Sequence, residues 1–74
     1  MLKRAHELLI GDVVMTSASV LIVLQFKEEA RHLLERFKQP AILKVLFVSE
    51  GNAQVTDRVF WDTRYYVLET VQVL

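Results

Sequence analysis

Apolar residues along this chain follow two different patterns, one typical of strands and one typical of a helix. Residues 20–26 and 41–48 are nearly continuous apolar runs, short for helices and rich in β-branched side chains. Runs of this kind are typical of strands that are covered on both faces. We therefore predict two central strands that carry apolar side chains on both faces of a sheet.

The segment between these two strands has a helical period. Its apolar residues recur at i, i+3, i+4 and i+7, which places them on one face of an α-helix; they are Ala30, Leu33, Leu34 and Phe37. The pattern predicts an amphipathic helix over residues 27–38 that packs on the sheet. It ends before Pro40, because the residue before a proline disfavours helical dihedrals. Arg31 and Glu35 have the spacing of an i,i+4 ion pair.

Turn residues divide the rest of the chain into shorter strands. Gly11-Asp12 and Gly51-Asn52 are typical turn pairs between apolar runs, and the second predicts a two-residue hairpin. Asp57 interrupts the apolar face of the strand that follows and suggests a bulge there. The other predicted elements are strands at residues 12–16, 53–61, 65–67 and 71–74 and a tight turn at residues 62–64.

Composition narrows the class of protein. The chain has 74 residues, nine basic and nine acidic, and no cysteine. A chain of this length forms one domain, residues 1–74. The lack of cysteine excludes disulfides and zinc-thiolate sites, and the lack of a net positive charge argues against generic duplex binding. No apolar run approaches the roughly 20 residues that a spanning helix needs, so we expect a cytoplasmic protein without membrane association.

Three segments resemble small β-barrels of the Src-homology, Tudor and translation-factor type. They are Leu-Ile-Gly-Asp-Val-Val at residues 9–14, Val-Phe-Trp-Asp-Thr-Arg-Tyr-Tyr-Val at residues 59–67, and Val-Gln-Val-Leu at residues 71–74. In such barrels a turn and a strand like residues 11–14 open the sheet, and an aromatic strand ending in Trp-Asp meets a tight turn. The resemblance implies a bent or closing sheet, and barrels of this type also occur in short phage and mobile-element proteins.

Pattern and resemblance together predict an α+β fold. We expect a small, strongly bent antiparallel sheet or a partly closed barrel, with one amphipathic helix, about residues 27–38, between strands 2 and 3. A helix in the middle of such a barrel is an insertion, which also permits an open two-layer domain with the helix lying across the sheet.

Residues for catalysis or metal binding form no convincing set. Glu29 and His32 share a helix face at the Glu-x-x-His spacing of carboxylate-bridged metal sites, but such sites need ligands from further helices. No Gly-x-Ser-x-Gly elbow is present, and two glycines are too few for a phosphate-binding loop. We predict that the protein is not an enzyme and has no catalytic, cofactor-binding or metal-binding residues.

An aromatic and basic cluster is the best candidate binding surface. Its members lie on two strands joined by one predicted turn, so several should be neighbours; they are Arg58, Phe60, Trp61, Arg64, Tyr65 and Tyr66. We expect Trp61 and Tyr65 to be partly buried and the arginines and Tyr66 to be exposed. Such a surface can bind a peptide or stack single-stranded bases.

Two functions compete at this point. The first is a non-enzymatic protein-interaction module, either a homodimer or a small adaptor or modulator of a larger intracellular protein. It is favoured because one short helix can cover only one side of a sheet that is apolar on both sides. The alternative is a small-barrel protein that binds single-stranded nucleic acid through residues 61–66.

Overall fold

A computed structural model describes residues 1–48 and 51–73 of the chain. Within these residues the fold is mostly antiparallel sheet, with a short 3-10 turn at Ala5–Glu7 and one α-helix. The elements in chain order are β1 (Leu2–Arg4), β2 (Asp12–Met15), β3 (Val20–Gln25), α1 (Glu28–Phe37), β4 (Ala41–Phe47), β5 (Ala53–Val59) and β6 (Arg64–Thr70). In this part of the chain no helix has the length and apolar character required to cross a bilayer.

The six strands form one sheet in the order β1-β6-β2-β3-β4-β5. Consecutive strands β2 to β5 pair with one another, whereas β6 pairs with β1 and β2 at the far side of the sheet. The chain crosses from β5 to β6 through a tight turn in which the Thr63 N–H donates to the Phe60 carbonyl at 3.3 Å. Two strands that are far apart in the sheet are thus joined by a very short connection.

This short connection requires the sheet to curve. In a flat sheet, four interstrand steps would separate β5 and β6 by about 19 Å, whereas the ends of a β-turn lie within about 7 Å of each other. The sheet therefore wraps around its inner face, which carries the buried side chains of five strands. The sheet stays open, because β1 and β5 form its two edges.

The core lies on the inner face of the curved sheet. Its residues come from β2 to β6, from α1, from the loop between β3 and α1, and from the segment around the 3-10 turn. The helix and this last segment cover the inner face. The core residues are Ala5, Leu8, Val14, Leu21, Val23, Phe26, Leu34, Ala41, Leu43, Val45, Val59 and Val67. Val14, Val23 and Val45 are among the largest fully buried side chains, consistent with the preference of β-branched residues for strands.

The predicted fold class is wrong in two respects. The sheet is not closed, so the partly closed barrel is not formed. The helix follows the third strand instead of lying between strands 2 and 3, because β1 precedes the first predicted strand. Residues Leu2–Arg4 have no strand pattern of their own, and their conformation comes from pairing with β6 some sixty residues later, with Leu2 opposite Tyr66.

Helix α1 is shorter and more exposed than its apolar stripe predicts. Lys38 adopts a left-handed conformation (φ 54°) and ends the helix, and the Gln39 N–H donates to the Leu33 carbonyl at 3.2 Å. Of the predicted stripe only Leu34 is fully buried, while Phe37 is 59% exposed. Ala30 packs against the core as a partly buried residue, whereas Phe37 at the end of the helix does not reach it.

Arg31 attaches the helix to the segments around it. Its guanidinium lies 4.3 Å from the centre of the Phe26 ring and donates to the His6 carbonyl. Its ion-pair partner is Glu28, at 3.4 Å, and not the predicted Glu35. The i,i+3 partner is favoured because the guanidinium is held toward the start of the helix by Phe26 and His6.

Three further predictions about strands and turns need correction. The last residue pair of the β4–β5 hairpin is Phe47–Ala53, so the connection is longer than the predicted two residues. Gly51 and Asn52 both have the positive φ expected of turn residues. Residues 49–50 lie outside the described part. The pairing of β4 with β5 is regular through Asp57, so the expected bulge is absent there. The predicted strands at 65–67 and 71–74 are replaced by the single strand β6, and residue 74 is not described.

The predicted turn at Gly11-Asp12 is confirmed and anchors three parts of the chain. Gly11 has φ +94°, and a β-carbon there would lie 2.0 Å from the Val71 carbonyl oxygen, so only glycine fits. Its N–H donates to the Val23 carbonyl at 2.8 Å, and its carbonyl accepts from the Val71 N–H at 2.9 Å. The turn thus connects β2 to β3 and to the segment after β6.

Asp12 is the one charged residue in the buried class among those described. Its carboxylate accepts from the Lys3 ammonium and the Leu9 N–H, each at 2.9 Å, and from the Thr70 hydroxyl. Burial raises the pKa of Asp12, but these hydrogen bonds and the Lys3 charge outweigh it and leave the pKa below its ordinary value. The ionised carboxylate therefore holds β1, β2 and β6 together.

Replacing Asp12 by Asn should destabilise the fold by about 2–4 kcal/mol, because it leaves the Lys3 ammonium without its counter-charge in a largely buried site. Urea unfolding at neutral pH measures this, with Asp62→Asn in an exposed turn as a control expected to change stability little. Because the folded pKa is lowered, the contribution of Asp12 is complete above its unfolded pKa and is lost as the pH falls through the folded value. If lowering the pH reduces the free energy of unfolding of the wild type no more than that of Asp12→Asn, Asp12 does not have this role.

Candidate interaction surface

The six residues of the predicted cluster do not form one surface. Arg58 lies on β5, directly opposite Ile42, and is exposed. Phe60 and Trp61 belong to the turn between β5 and β6 and are about 40% exposed. The Lys38 ammonium lies 5.4 Å from the centre of the Trp61 ring, a cation–π distance that places Trp61 beside the end of the helix.

Tyr65 and Tyr66 lie on opposite faces of β6, as strand alternation requires. Tyr65 is half-buried against the core, and its phenol oxygen accepts a hydrogen bond from the Phe60 N–H at 3.0 Å. Tyr66 is exposed on the outer face, opposite Leu2 on one side and Met15 on the other. The predicted exposures of Tyr65, Tyr66, Arg58 and Arg64 agree with the structure, but Trp61 is more exposed than expected.

The outer face of the sheet carries apolar residues on five neighbouring strands. One row crosses β1, β6, β2 and β3 with each residue directly opposite the next, and a second row crosses β2, β3 and β4. We call these two rows the outer apolar face, together with Leu68, which is exposed in the irregularity of β6 between Val67, opposite Val14, and Glu69, opposite Val13. Its members are Leu2, Tyr66, Met15 and Val20 in the first row, Val13, Ile22 and Leu46 in the second, and Leu68.

This outer apolar face is open to solvent. Leu2, Met15, Tyr66 and Leu68 are between 45 and 57% exposed, and the other members are half-buried. Contiguous apolar surface of this kind is uncommon on a monomer and marks contact sites. The non-alternating run at residues 20–26 indicated an uncovered apolar face, but Leu2 and Met15 could be placed on it only through the strand pairing.

Two shallow depressions lie beside β4 and β5, at the end of the strand order away from β1. One, of about 470 Å³, is lined by Ile42, Thr56, Asp57, Arg58 and Phe60 along the open edge of β5. The other, of about 510 Å³, lies between α1 and β4 and shares Ile42 and Thr56 with the first. Both depressions are open to solvent, so neither encloses a small molecule, and each can contact a side chain of a partner.

Glu29 and His32 do not form part of a wider ligand set. Both are exposed on α1, and the His32 ring makes an edge-to-face contact with Phe37 at 5.6 Å between ring centres. Within residues 1–48 and 51–73, no group of three or more acidic or histidine side chains is placed to hold a metal ion. The contact of His32 with Phe37 is a packing interaction at the helix surface.

Comparisons with protein-family models, curated proteins and solved structures gave no match for this chain. The resemblance to small β-barrels therefore rests on the three sequence segments alone.

Tyr65→Phe should destabilise the fold by about 1 kcal/mol, because it removes the acceptor of the Phe60 N–H from the turn that joins β5 to β6. Thermal or urea unfolding measures the change. Tyr66→Phe is the matched control, since the Tyr66 side chain is exposed on the outer face, and its stability should equal that of the wild type. Equal stabilities of the two variants would show that this hydrogen bond does not support the turn.

Proposed function

We propose that this protein is a non-enzymatic, cytoplasmic protein-interaction module that associates through its outer apolar face. The supporting observation is the position of the helix. Helix α1 contributes to the core on the inner side of the sheet, and the outer side keeps Leu2, Met15, Tyr66 and Leu68 about half exposed. A second protein surface is the natural cover for such a face.

Burial of the outer apolar face would contribute to the free energy of association. Covering the remaining surface of each half-exposed side chain contributes roughly 1 kcal/mol, and a stable interface buries about 800 Å² per partner. The face extends across five of the six strands, so it has the breadth that such an interface needs. The chain has no net charge, so two copies approach without long-range repulsion.

A homodimer is the simplest form of this module. Two-fold symmetric dimers use the same patch on both subunits. Arg64 and Glu69 lie near opposite ends of β6, and both are exposed. A two-fold axis through the middle of β6 would bring Arg64 of one copy toward Glu69 of the other, so the charges at the rim suit an antiparallel dimer. An adaptor form would use the same face for a larger intracellular protein.

Met15→Glu should convert a dimeric wild type into a monomer, because it places a charge in the centre of the contact. Light scattering after size exclusion, at micromolar concentrations, measures the mass. Phe37→Glu is a matched control, since Phe37 is exposed on the helix and away from this face, and it should remain dimeric.

The outcome for wild type separates the two forms of the proposal. A monomeric wild type contradicts the homodimer. The adaptor form then requires a partner protein that binds wild type and Phe37→Glu but does not bind Met15→Glu. Circular dichroism confirms that each variant is folded. A dimer that Met15→Glu leaves intact would show that association uses another surface.

A second candidate function is supported by a basic pair on the outer face. Arg4 and Arg64 lie directly opposite each other, both exposed, and Tyr66 follows two residues along β6. Like charges facing each other across strands repel, and an anionic ligand would relieve this repulsion. Together with an aromatic ring for stacking, the pair supports binding of single-stranded nucleic acid.

Arg64→Ala should weaken binding of a fluorescent single-stranded oligonucleotide severalfold at low salt, because it removes one of the paired cations. Fluorescence anisotropy over a salt series measures the affinity and its salt dependence. Arg36→Ala, on the exposed part of α1, changes the net charge equally and should bind like wild type. Equal loss in both variants would indicate nonspecific attraction, and no binding by wild type would exclude this function.

A further inference from the structure

Among residues 1–48 and 51–73, the backbone groups on one side of the edge strand β5 pair with no other strand. In the described part of the chain, β5 pairs with β4 alone and forms one edge of the sheet. Its pairing with β4 is regular from Ala53 to Val59, whereas the β2–β6 and β3–β4 pairs both contain irregularities. A long, regular edge strand offers a template for another strand.

One side-chain contact shows which backbone groups face the open edge. The Arg58 N–H donates to the carboxylate of Asp57 at 2.8 Å, so this N–H points away from β4. Backbone groups of an antiparallel strand alternate in direction from residue to residue. The groups of Gln54 and Thr56 therefore face the open edge together with those of Arg58.

The charges beside this edge differ between its two faces. Asp57 lies opposite Leu43 on the inner face and is half-buried, whereas Arg58 lies opposite Ile42 on the outer face. The depression of about 470 Å³ at this edge is lined by Ile42, Thr56 and Arg58 of the outer face, together with Asp57 and Phe60. A strand added to β5 would thus meet a carboxylate on one face and, on the other, a guanidinium beside the exposed Ile42 side chain.

We propose that β5 binds an extended peptide by antiparallel strand addition, and that the peptide carries a basic residue opposite Asp57 and an acidic residue opposite Arg58. Directly opposed residues of unlike charge stabilise an antiparallel pair. The backbone of the peptide bonds to Gln54, Thr56 and Arg58, and the Asp57 carboxylate exchanges the Arg58 N–H for the basic side chain. An apolar residue opposite Thr56 fits the depression near Ile42.

A second copy of the chain fits this edge less well. In a two-fold symmetric pair of β5 strands, each residue faces a residue on its own side of the sheet. Pairs centred on Asp57 or Arg58 set like charges against each other, and a pair centred on Thr56 sets the two charges against Val55 and Gln54. A separate peptide can satisfy both charges, so it is the favoured occupant.

The probe is a fluorescein-labelled peptide, Thr-Glu-Lys-Ile-Val-Thr-Thr, with its carboxyl end amidated. Antiparallel to β5, its Glu, Lys and Ile lie opposite Arg58, Asp57 and Thr56. Fluorescence anisotropy should show saturable binding that is roughly three- to tenfold tighter than that of the peptide with Glu and Lys exchanged. The two peptides have the same composition and charge, so the difference in affinity reports which charge lies opposite Asp57 and which opposite Arg58.

Two further measurements test the backbone pairing. N-methylation of the peptide Ile, which faces Thr56, should abolish binding, whereas N-methylation of its Val, whose N–H points away from β5, should leave it unchanged. Thr56→Pro removes an edge donor without removing a bond to β4, and should also abolish binding while the circular dichroism spectrum is retained. If this variant does not fold, the N-methylated peptides carry the test.

Several outcomes would overturn the proposal. They are the absence of saturable binding by wild type up to millimolar peptide, equal affinities for the two charge arrangements, and binding that survives N-methylation of Ile. Peptide addition can also be followed by NMR chemical shifts of the backbone amides. Changes centred on the outer apolar face, and not on Gln54, Thr56 and Arg58, would likewise reject β5 as the site.

Discussion

The connection between β5 and β6 is the constraint on which the rest of the architecture depends. A turn closed by the Thr63 N–H and the Phe60 carbonyl joins strands that lie four positions apart in the sheet. The chain satisfies this constraint by curving the sheet around its inner face. The curvature gathers the side chains of five strands into one core, on which α1 packs through Leu34 and Ala30 while Phe37 stays exposed.

The same curvature explains both candidate binding surfaces. The inner face receives the helix, and the outer face, which carries Tyr66 and Met15, has no covering layer in the described part of the chain. The sheet ends at β5 without closing on β1, so the outer edge of β5 stays available. A face suited to apolar contact and an edge suited to backbone pairing thus come from one geometric cause, and they could be occupied at the same time.

Sequence patterns predicted the elements that depend on local chemistry. Hydrophobic patterning predicts the central strands and the helix, and Pro40 limits the length of the helix. The Gly-Asp pair predicts the turn at Gly11, where φ is positive. Strand order could not be predicted, because it depends on pairing between distant residues, and β1 is the clearest case. The residues of the predicted cluster around Trp61 lie on different surfaces for a related reason. A turn joins β5 to β6, but the two strands do not pair with each other. Alternation along β6 also places Tyr65 against the core and Tyr66 on the opposite face.

The pairing of β1 with β6 affects how the chain folds during synthesis. Leu2 pairs with Tyr66, and Lys3 and Thr70 both bind Asp12, so β1 remains without its neighbour until β6, some sixty residues later, has left the ribosome. The β3–β4–β5 meander contains only sequential pairings and can form earlier. Pairing between distant segments slows folding, because the segments must meet before they are stabilised. Apolar strands that form before their neighbours are open to contact with other chains in the interval.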